Sequence, residues 1–266
     1  MAVDEGCTHC IMEVSSQAMK MNRIYGEHYK VGVFTNIDYD HISPTEHASM
    51  EDYLGCKVSF LKQCDNVVLY SDTRYFETIY NEVRDKHVVV YGSKESIEKL
   101  MSRDDDFFEK DTDFASIHNE DLTDHNSYFE LIYGGENRAY NTNLIGDYNV
   151  ENIVAAIISS LLIGIPNDQI RSSIRDVYVP GRLQVYHWKD RTFMIDYAHN
   201  YISMYRLYEM VKKTMKPKSI TVVFGCGGER YKKRREDMGR LAEQYADKVV
   251  LTMEDPGFES CEEICK

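Results

Sequence analysis

Residues 224–235 read FGCGGERYKKRR: an apolar strand end, three glycines in four positions, then a burst of positive charge. Backbone N–H groups in a glycine turn, with cations beside them, suit a phosphate or another anion. Two common nucleotide designs fail on spacing. A dinucleotide fingerprint built on Gly225 and Gly227 needs a glycine where Arg230 stands. A P-loop needs Gly-Lys followed by Ser or Thr, and that triplet occurs nowhere in the chain. An anion site and a tight strand-to-helix turn with a solvated basic helix start both remain open.

Other groups could do chemistry. Glu13 ends one apolar run, and TNIDYDHISPTEH (35–47), which contains His41, ends the next. In open parallel sheets ligands sit beyond the carboxyl ends of strands. Carboxylate, imidazole and hydroxyl groups there hold Mg²⁺ against phosphate, or else cap the following helix. In GDYNVENIVAA (146–156), Asn149 and Asn152 share one face of a helix start, where amides bond a base edge or cap the helix. Around PGRLQV and MIDYAH, Arg182 suits phosphate, Asp196 suits ribose hydroxyls and His199 follows closely; a surface ion pair is the plainer use. CTHC (Cys7, Cys10) has CxxC spacing, but no second close pair completes a zinc site, so these read as ordinary thiols entering a strand.

Strands and helices must position these groups. CIMEV (10–14), VGVFTN (31–36), NVVLYS (66–71) and HVVVYG (87–92) read as buried strands. Helical spacing covers 45–62, with Met50, Leu54, Val58 and Leu61 on one stripe. This alternation implies an α/β fold with a mostly parallel sheet covered by helices. The acidic stretch 103–126 reads as an exposed excursion and SYFELIYGG as an antiparallel strand. NVENIVAAIISSLLIGI and PNDQIRSSI read as helices, and Pro180-Gly181 marks a turn and a domain boundary. A fresh βαβ series follows: TFMIDYAH, a helix over 201–215, SITVVFGCGG, a helix over 235–246, and KVVLTMEDP.

A formal net charge of −13 leaves no extended basic face, which argues against a nucleic-acid partner. The longest nearly apolar run, at 153–165, is too short for membrane insertion, and the first residues lack the features of a signal peptide. Seven scattered cysteines do not suggest a disulfide scaffold, so a cytoplasmic location is expected.

MEVSSQAMKMNR, VFTNIDYDHISPTEHASMEDYLGCK, GDYNVENIVAA, PGRLQV, IDYAHN, FGCGGERYKKRREDM and TMEDPGFE, in this order and spacing, resemble the Mur ligases, above all their E-type branch. The likeness covers nearly the whole chain. It implies a P-loop-type central ATPase domain followed by a Rossmann-like C-terminal domain. It also implies an ATP-dependent amide-bond ligase. The carboxylate of a UDP-linked muramoyl peptide, UDP-N-acetylmuramoyl-L-Ala-D-Glu, becomes an acyl phosphate that the amine of an incoming amino acid attacks. ATP is then the co-substrate and Mg²⁺ the cofactor, with metal and cations offsetting charge as the γ-phosphoryl group moves.

By position in these motifs, Glu13 and His41 match magnesium ligands. Lys57 matches the lysine that the family carbamylates, which turns a cation into an anion able to help hold the metal. Ser15 and Arg23 match contacts to the UDP-muramoyl substrate. Asn149, Asn152, Arg182 and Asp196 match nucleotide contacts, with His199 beside them. Arg230 and the EDPGFE loop, with Glu254, Asp255 and Glu259, match the pocket for the incoming amino acid. Diaminopimelate-adding enzymes read Asp-Asn-Pro-Arg in that loop, whereas this chain reads Glu254-Asp255-Pro256-Gly257. Without the arginine a second substrate carboxylate loses its bidentate partner, so lysine or another diamino acid is expected.

The sequence also departs from the family. The GxxGKT/S loop belongs well before MEVSSQ and the uridine-binding domain earlier still; neither is in the sequence. Met21 stands where glutamine often contacts substrate, Gln17 replaces a common histidine, and IDYAHN lacks the proline usual after it. The expected division is a partial central domain over 1–179 and a partial C-terminal domain over 180–266, with no ATP turnover by this chain alone. A folylpolyglutamate- or cyanophycin-type ligase would keep the fold and change the acid, but EVSS and DHISP favour the muramoyl reading. The alternative of another class is a shortened, non-catalytic nucleotide- or peptide-binding protein. Self-association through an uncovered sheet is left open.

Overall fold

In the computed structural model, which describes residues 4–43, 46–103, 106–228 and 231–266, helix α1 (Ser16–Lys20) leads to strand β1 (Tyr29–Phe34) and helix α2 (Met50–Leu61). Strand β2 (Cys64–Tyr70), helix α3 (Phe76–Val83), strand β3 (His87–Ser93) and helix α4 (Lys94–Met101) continue the alternation. Strands β4 (Thr112–Leu122), β5 (Ser127–Tyr133) and β6 (Glu136–Thr142) then follow without intervening helices. All six strands form one sheet in sequence order, parallel from β1 to β4 and antiparallel from β4 to β6. The α/β architecture read from the alternation is the one the chain adopts.

Helices α5 (Asp147–Leu162) and α6 (Asn167–Arg175) cover one face of this sheet, and α2, α3 and α4 cover the other. The pleat sorts the side chains. Val68, Tyr70, Val89 and Tyr91 pack with Val154 and Ile158 of α5, whereas Val67, Leu69, Val88 and Val90 pack with Leu54, Ile79 and Ile97. Burial on both faces is why β2 and β3 read as almost unbroken apolar runs. Each fully buried Val, Leu or Ile side chain contributes about 1.5–3 kcal/mol relative to exposure. Gly164, at φ +83°, ends α5 in the left-handed conformation that glycine adopts freely.

Beyond α6, β7 (Gln184–Trp188) and β8 (Arg191–Ile195) form an antiparallel hairpin. Helix α7 (Tyr201–Met210) runs into a π-helical turn at Val211–Met215. Strand β9 (Thr221–Phe224), helix α8 (Lys233–Tyr245), strand β10 (Lys248–Leu251) and helix α9 (Cys261–Ile264) follow, with β9 and β10 paired in parallel. Met204 and Tyr208 of α7 share a core with Cys226, Met238, Leu241 and Ile264. Ile145, Leu183 and Met210 form a smaller cluster that joins the loop before α5 to this C-terminal part. Among the described residues, no helix is long and apolar enough to cross a membrane.

Several expectations change. Residues 10–14 are not a strand; Ile11 is fully exposed, and Cys7 and Cys10 lie exposed on the same segment. An apolar run becomes a strand only where a neighbouring ladder and a covering layer meet it. The acidic stretch is not an excursion throughout, since Thr112–Leu122 is β4, with Ala115 and Ile117 buried and its charged side chains outside the core. Helix α2 begins at Met50 rather than at 45, because Ser49 caps it by accepting from the Asp52 N–H at 3.2 Å. TFMIDYAH belongs to a hairpin instead of opening a parallel series. The helix expected over 201–215 does form, α-helical to Met210 and π-helical over Val211–Met215.

Candidate active site

Helix α2 and the loop after β1 bring Lys57 and His41 to one corner around Tyr53, while Glu13, exposed ahead of α1, lies near enough to Lys57 to act on its charge. Lys57 Nζ lies 5.3 Å from the Tyr53 ring centroid and 5.9 Å from that of Phe34. Burial pushes its amine pKa down, and the nearby Glu13 carboxylate opposes that shift. The His41 ring, on the loop after β1, sits 5.5 Å from the same Tyr53 ring, and its Nδ1 is 3.0 Å from Glu46 Oε1. Burial, together with the carboxylates of Asp40, Glu46 and Asp38, drives the Tyr53 phenol well above its ordinary value.

A second network holds α1 against α2. His47, fully buried, places Nε2 2.9 Å from Ser16 Oγ and Nδ1 3.3 Å from Asp52 Oδ2. Asp52 Oδ2 also accepts from Lys20 Nζ at 2.6 Å and from the Ala48 N–H at 3.1 Å. The Lys20 bond is the main reason its carboxyl falls to about 2. Ser15 is exposed and caps α1, its Oγ accepting from the Ala18 N–H at 3.1 Å. Arg23 is exposed just beyond the helix, with Nη2 3.2 Å from Met21 Sδ.

Arg182, Asp196 and His199 meet around Tyr197. The Arg182 guanidinium lies 4.4 Å from the Tyr197 ring centroid, and the His199 ring 4.8 Å from it. Asp196 accepts from the Leu183 N–H at 2.9 Å and the Ala198 N–H at 2.8 Å, fixing the turn that carries Arg182. Asn149 Nδ2 donates to the Ile145 carbonyl at 2.8 Å, so this amide braces the start of α5, while Asn152 is exposed almost one turn later. Tyr148, between Asp147 and Asn149, has a buried hydroxyl without a hydrogen-bond partner among the described residues. A cavity of about 350 Å³ opens beside Arg182, lined by Asn143, Ile145, Tyr178, Leu183 and His187.

The glycine loop does a different job from cradling phosphate alone. A Cβ at Gly225 would sit 2.4 Å from the Thr252 carbonyl oxygen, and one at Gly228 would sit 1.8 Å from the Pro256 oxygen. These glycines let the loop press against 252–256, so Glu254 and Asp255 lie beside it. Glu259 is held by Arg235 through two bonds, at 2.8 and 3.0 Å. Arg230 lies outside the described residues.

The chain matches the Mur ligase middle domain over residues 1–160 and the Mur ligase glutamate ligase domain over 181–266. It belongs to the Mur ligase family. This Mur ligase chain is 36% identical over 271 residues to the UDP-N-acetylmuramyl-tripeptide synthetase of Limosilactobacillus reuteri, covering 97% of this chain and 51% of the relative. It is 35% identical over 268 residues to the UDP-N-acetylmuramoyl-L-alanyl-D-glutamate–L-lysine ligase of Enterococcus faecalis, covering all of this chain and 50% of that one. The chain thus spans about half the length of the curated relatives it matches. Its fold resembles a solved UDP-N-acetylmuramoyl-L-alanyl-D-glutamate–2,6-diaminopimelate ligase at TM-score 0.63 and 24% identity, over 98% of this chain and 51% of that one.

Sequence reasoning passed over the residues that join the Mur ligase chain's two halves. Asp40 pairs with Arg234, 194 positions away, at 2.6 Å. Burial works to raise the Asp40 carboxyl, but Arg234 overrides it and holds the group below its ordinary value. Glu151 of α5 accepts from Tyr70 and from Arg206 of α7, each at 2.6 Å. Nothing local marks these partners. Asp40 lies inside the quoted motif beside His41, but only its distant arginine reveals what it does.

Proposed function

We propose that this chain carries the metal, nucleotide and amino-acid sides of an ATP-dependent amide-bond ligase. Its acceptor is UDP-N-acetylmuramoyl-L-Ala-D-Glu, and its place is peptidoglycan precursor synthesis in the cytoplasm. The observation that carries the reading is the convergence of His41 and Lys57 on Tyr53, with the Glu13 carboxylate acting on the Lys57 amine. The names of the tripeptide synthetase and lysine ligase relatives support the substrate. The division of labour follows the expected domains, 1–179 and 180–266.

The donor set fits Mg²⁺. Glu13 would offer carboxylate oxygens and His41 a ring nitrogen. Lys57 is enclosed by aromatic rings and held toward its neutral amine, the form that takes up carbon dioxide to give a carbamate with oxygen donors. Bound there, Mg²⁺ would supply positive charge against the ATP phosphates. Arg182 would meet a phosphate and Asp196 a ribose hydroxyl, with Asn149 bracing the helix start that carries Asn152. Ser15 and Arg23 would face the muramoyl substrate. Glu254, Asp255 and Glu259, with Arg230, would surround the amino acid, and Gly257 offers no guanidinium to a second carboxylate, which favours lysine over diaminopimelate.

Calorimetric titration tests this reading. L-lysine and meso-diaminopimelate are added separately to the protein in the presence of Mg²⁺ and ADP. Binding of ADP together with a preference for lysine supports it; absence of nucleotide and amino-acid binding, or a preference for diaminopimelate, overturns it at the corresponding level. Intact-mass analysis in bicarbonate buffer should show a carbon dioxide adduct that Lys57→Ala abolishes.

A further inference from the structure

Asp40 is the tightest link between the loop after β1 and the C-terminal elements. Its side chain is 8% exposed, and Arg234, at 14%, reaches it from α8. Three donors converge on it. Arg234 Nη2 lies 2.6 Å from Oδ1, the His41 backbone N–H donates to Oδ1 at 2.9 Å, and Asn200 Nδ2 lies 3.3 Å from Oδ2. Asn200 is itself fixed, because its Oδ1 accepts from the Ser203 N–H at 3.1 Å as the N-cap of α7. One carboxylate therefore gathers α7, α8 and the His41 peptide.

His41 needs such a hold. Its φ of +58° lies in the left-handed region, which a β-carbon disfavours. The turn is kept by the Asp40 bond to its N–H and by the His47 N–H, which donates to the His41 carbonyl at 3.0 Å. Of these two holds, only the first depends on an element remote in sequence. A buried ion pair adds little net stability, since desolvation offsets its attraction, but it is satisfied in only one relative placement of its partners. That property suits a register device.

We propose that Arg234 is a positioning residue: by docking on Asp40 from α8 it sets the left-handed turn at His41 and with it the shape of the loop that carries this imidazole. The consequence for catalysis rests on the reading of His41 as a metal-facing group. The geometric claim does not. Without the Arg234 contact, Asp40 turns to water and the His41 peptide relaxes toward ordinary backbone.

Backbone-amide hydrogen exchange on the full chain tests this directly. Arg234→Ala should speed exchange at His41 and His47 roughly tenfold, the scale of losing a charge-assisted hydrogen bond. Asp40→Asn should do the same from the other side, and the double variant should add little more. Arg234→Lys should restore part of the protection. The control is Arg235→Ala, which breaks the comparably buried pair to Glu259 on the same helix but leaves Asp40 untouched. Unchanged exchange at His41 in Arg234→Ala overturns the proposal. So does equal acceleration in Arg235→Ala, which would mean that α8 has merely loosened. Mn²⁺ affinity of His41→Ala, measured by electron paramagnetic resonance, reports separately on the metal reading: wild-type affinity there sinks the metal role of His41 while the exchange result stands on its own.

Discussion

The Gly228 N–H donates to the Asp255 carbonyl at 2.8 Å, stitching the glycine loop after β9 to the acidic loop after β10. The two loops form one surface because no side chain separates them at Gly225 or Gly228. A Gly228→Ala methyl would meet the Pro256 carbonyl carbon at 2.4 Å, and backbone there cannot move aside cheaply. Denaturant unfolding should show a loss of about 1–3 kcal/mol, as in other overpacked sites. Gly239 of α8 is the contrast, since a Cβ there meets nothing within 4 Å. Gly239→Ala should stabilise by about 0.4–1 kcal/mol.

Thiol chemistry should divide the cysteines by burial. Cys64 is fully buried and its thiol is pushed up to about 11 by desolvation, while burial also raises Cys226. Cys7, Cys10, Cys261 and Cys265 are exposed. Iodoacetamide at mildly alkaline pH should label the exposed four in the native protein, with Cys64 and Cys226 modified only after unfolding. Because the thiolate is the nucleophile, native labelling of Cys64 should rise only as pH approaches 11. Rapid modification of Cys64 near neutrality, read by peptide mass mapping, would contradict the packing of β2 against α2.

Acid should loosen the contact between α1 and α2. The Asp52 carboxyl is depressed from 3.8 to about 2, chiefly by the Lys20 bond. A depressed carboxyl contributes stability that is fully present above its unfolded value and is lost as pH falls through the folded one. The expected window runs from near 4 down to about 2. Carboxyl chemical shifts should place the Asp52 midpoint there, and Lys20→Ala should move it upward. An Asp52 midpoint at its ordinary value in the unaltered protein would rule out the pairing.

Glu151 ties Tyr70 on β2 to Arg206 on α7. Glu151→Gln keeps the shape but leaves Arg206 partly buried without its counter-charge. A loss of about 1.5–3 kcal/mol is expected, the range for hydrogen bonds to charged groups, and thermal unfolding measures it. The exposed pair Lys233–Asp237 on α8 should contribute far less, because water screens it. Equal losses for the two pairs would mean that the Glu151 network is not holding the halves together.

Much of the scaffold was legible because its signals are local. The valine runs of β2 and β3 and the apolar face of α5 each follow from one stretch of side chains whose period matches one element. Other elements were not legible. CIMEV has strand composition but pairs with no strand among the described residues, and β4 hides an ordinary strand inside an acidic stretch. In both, the deciding term is what packs alongside, and composition does not carry it.

The candidate site divides in the same way. Residue types and motif spacing, read along the chain, picked out Glu13, His41, Arg182 and Asp196, because each motif keeps its chemistry within a few positions, and the family resemblance added Lys57. Only the tertiary structure showed that Tyr53 is the wall shared by His41 and Lys57, that Gly228 leaves room for the Pro256 carbonyl, and that Asp40 answers to Arg234. Those relationships depend on distances through space between residues far apart in sequence. An ion pair or a backbone contact of that kind leaves no periodic trace on either partner, so folding alone decides it.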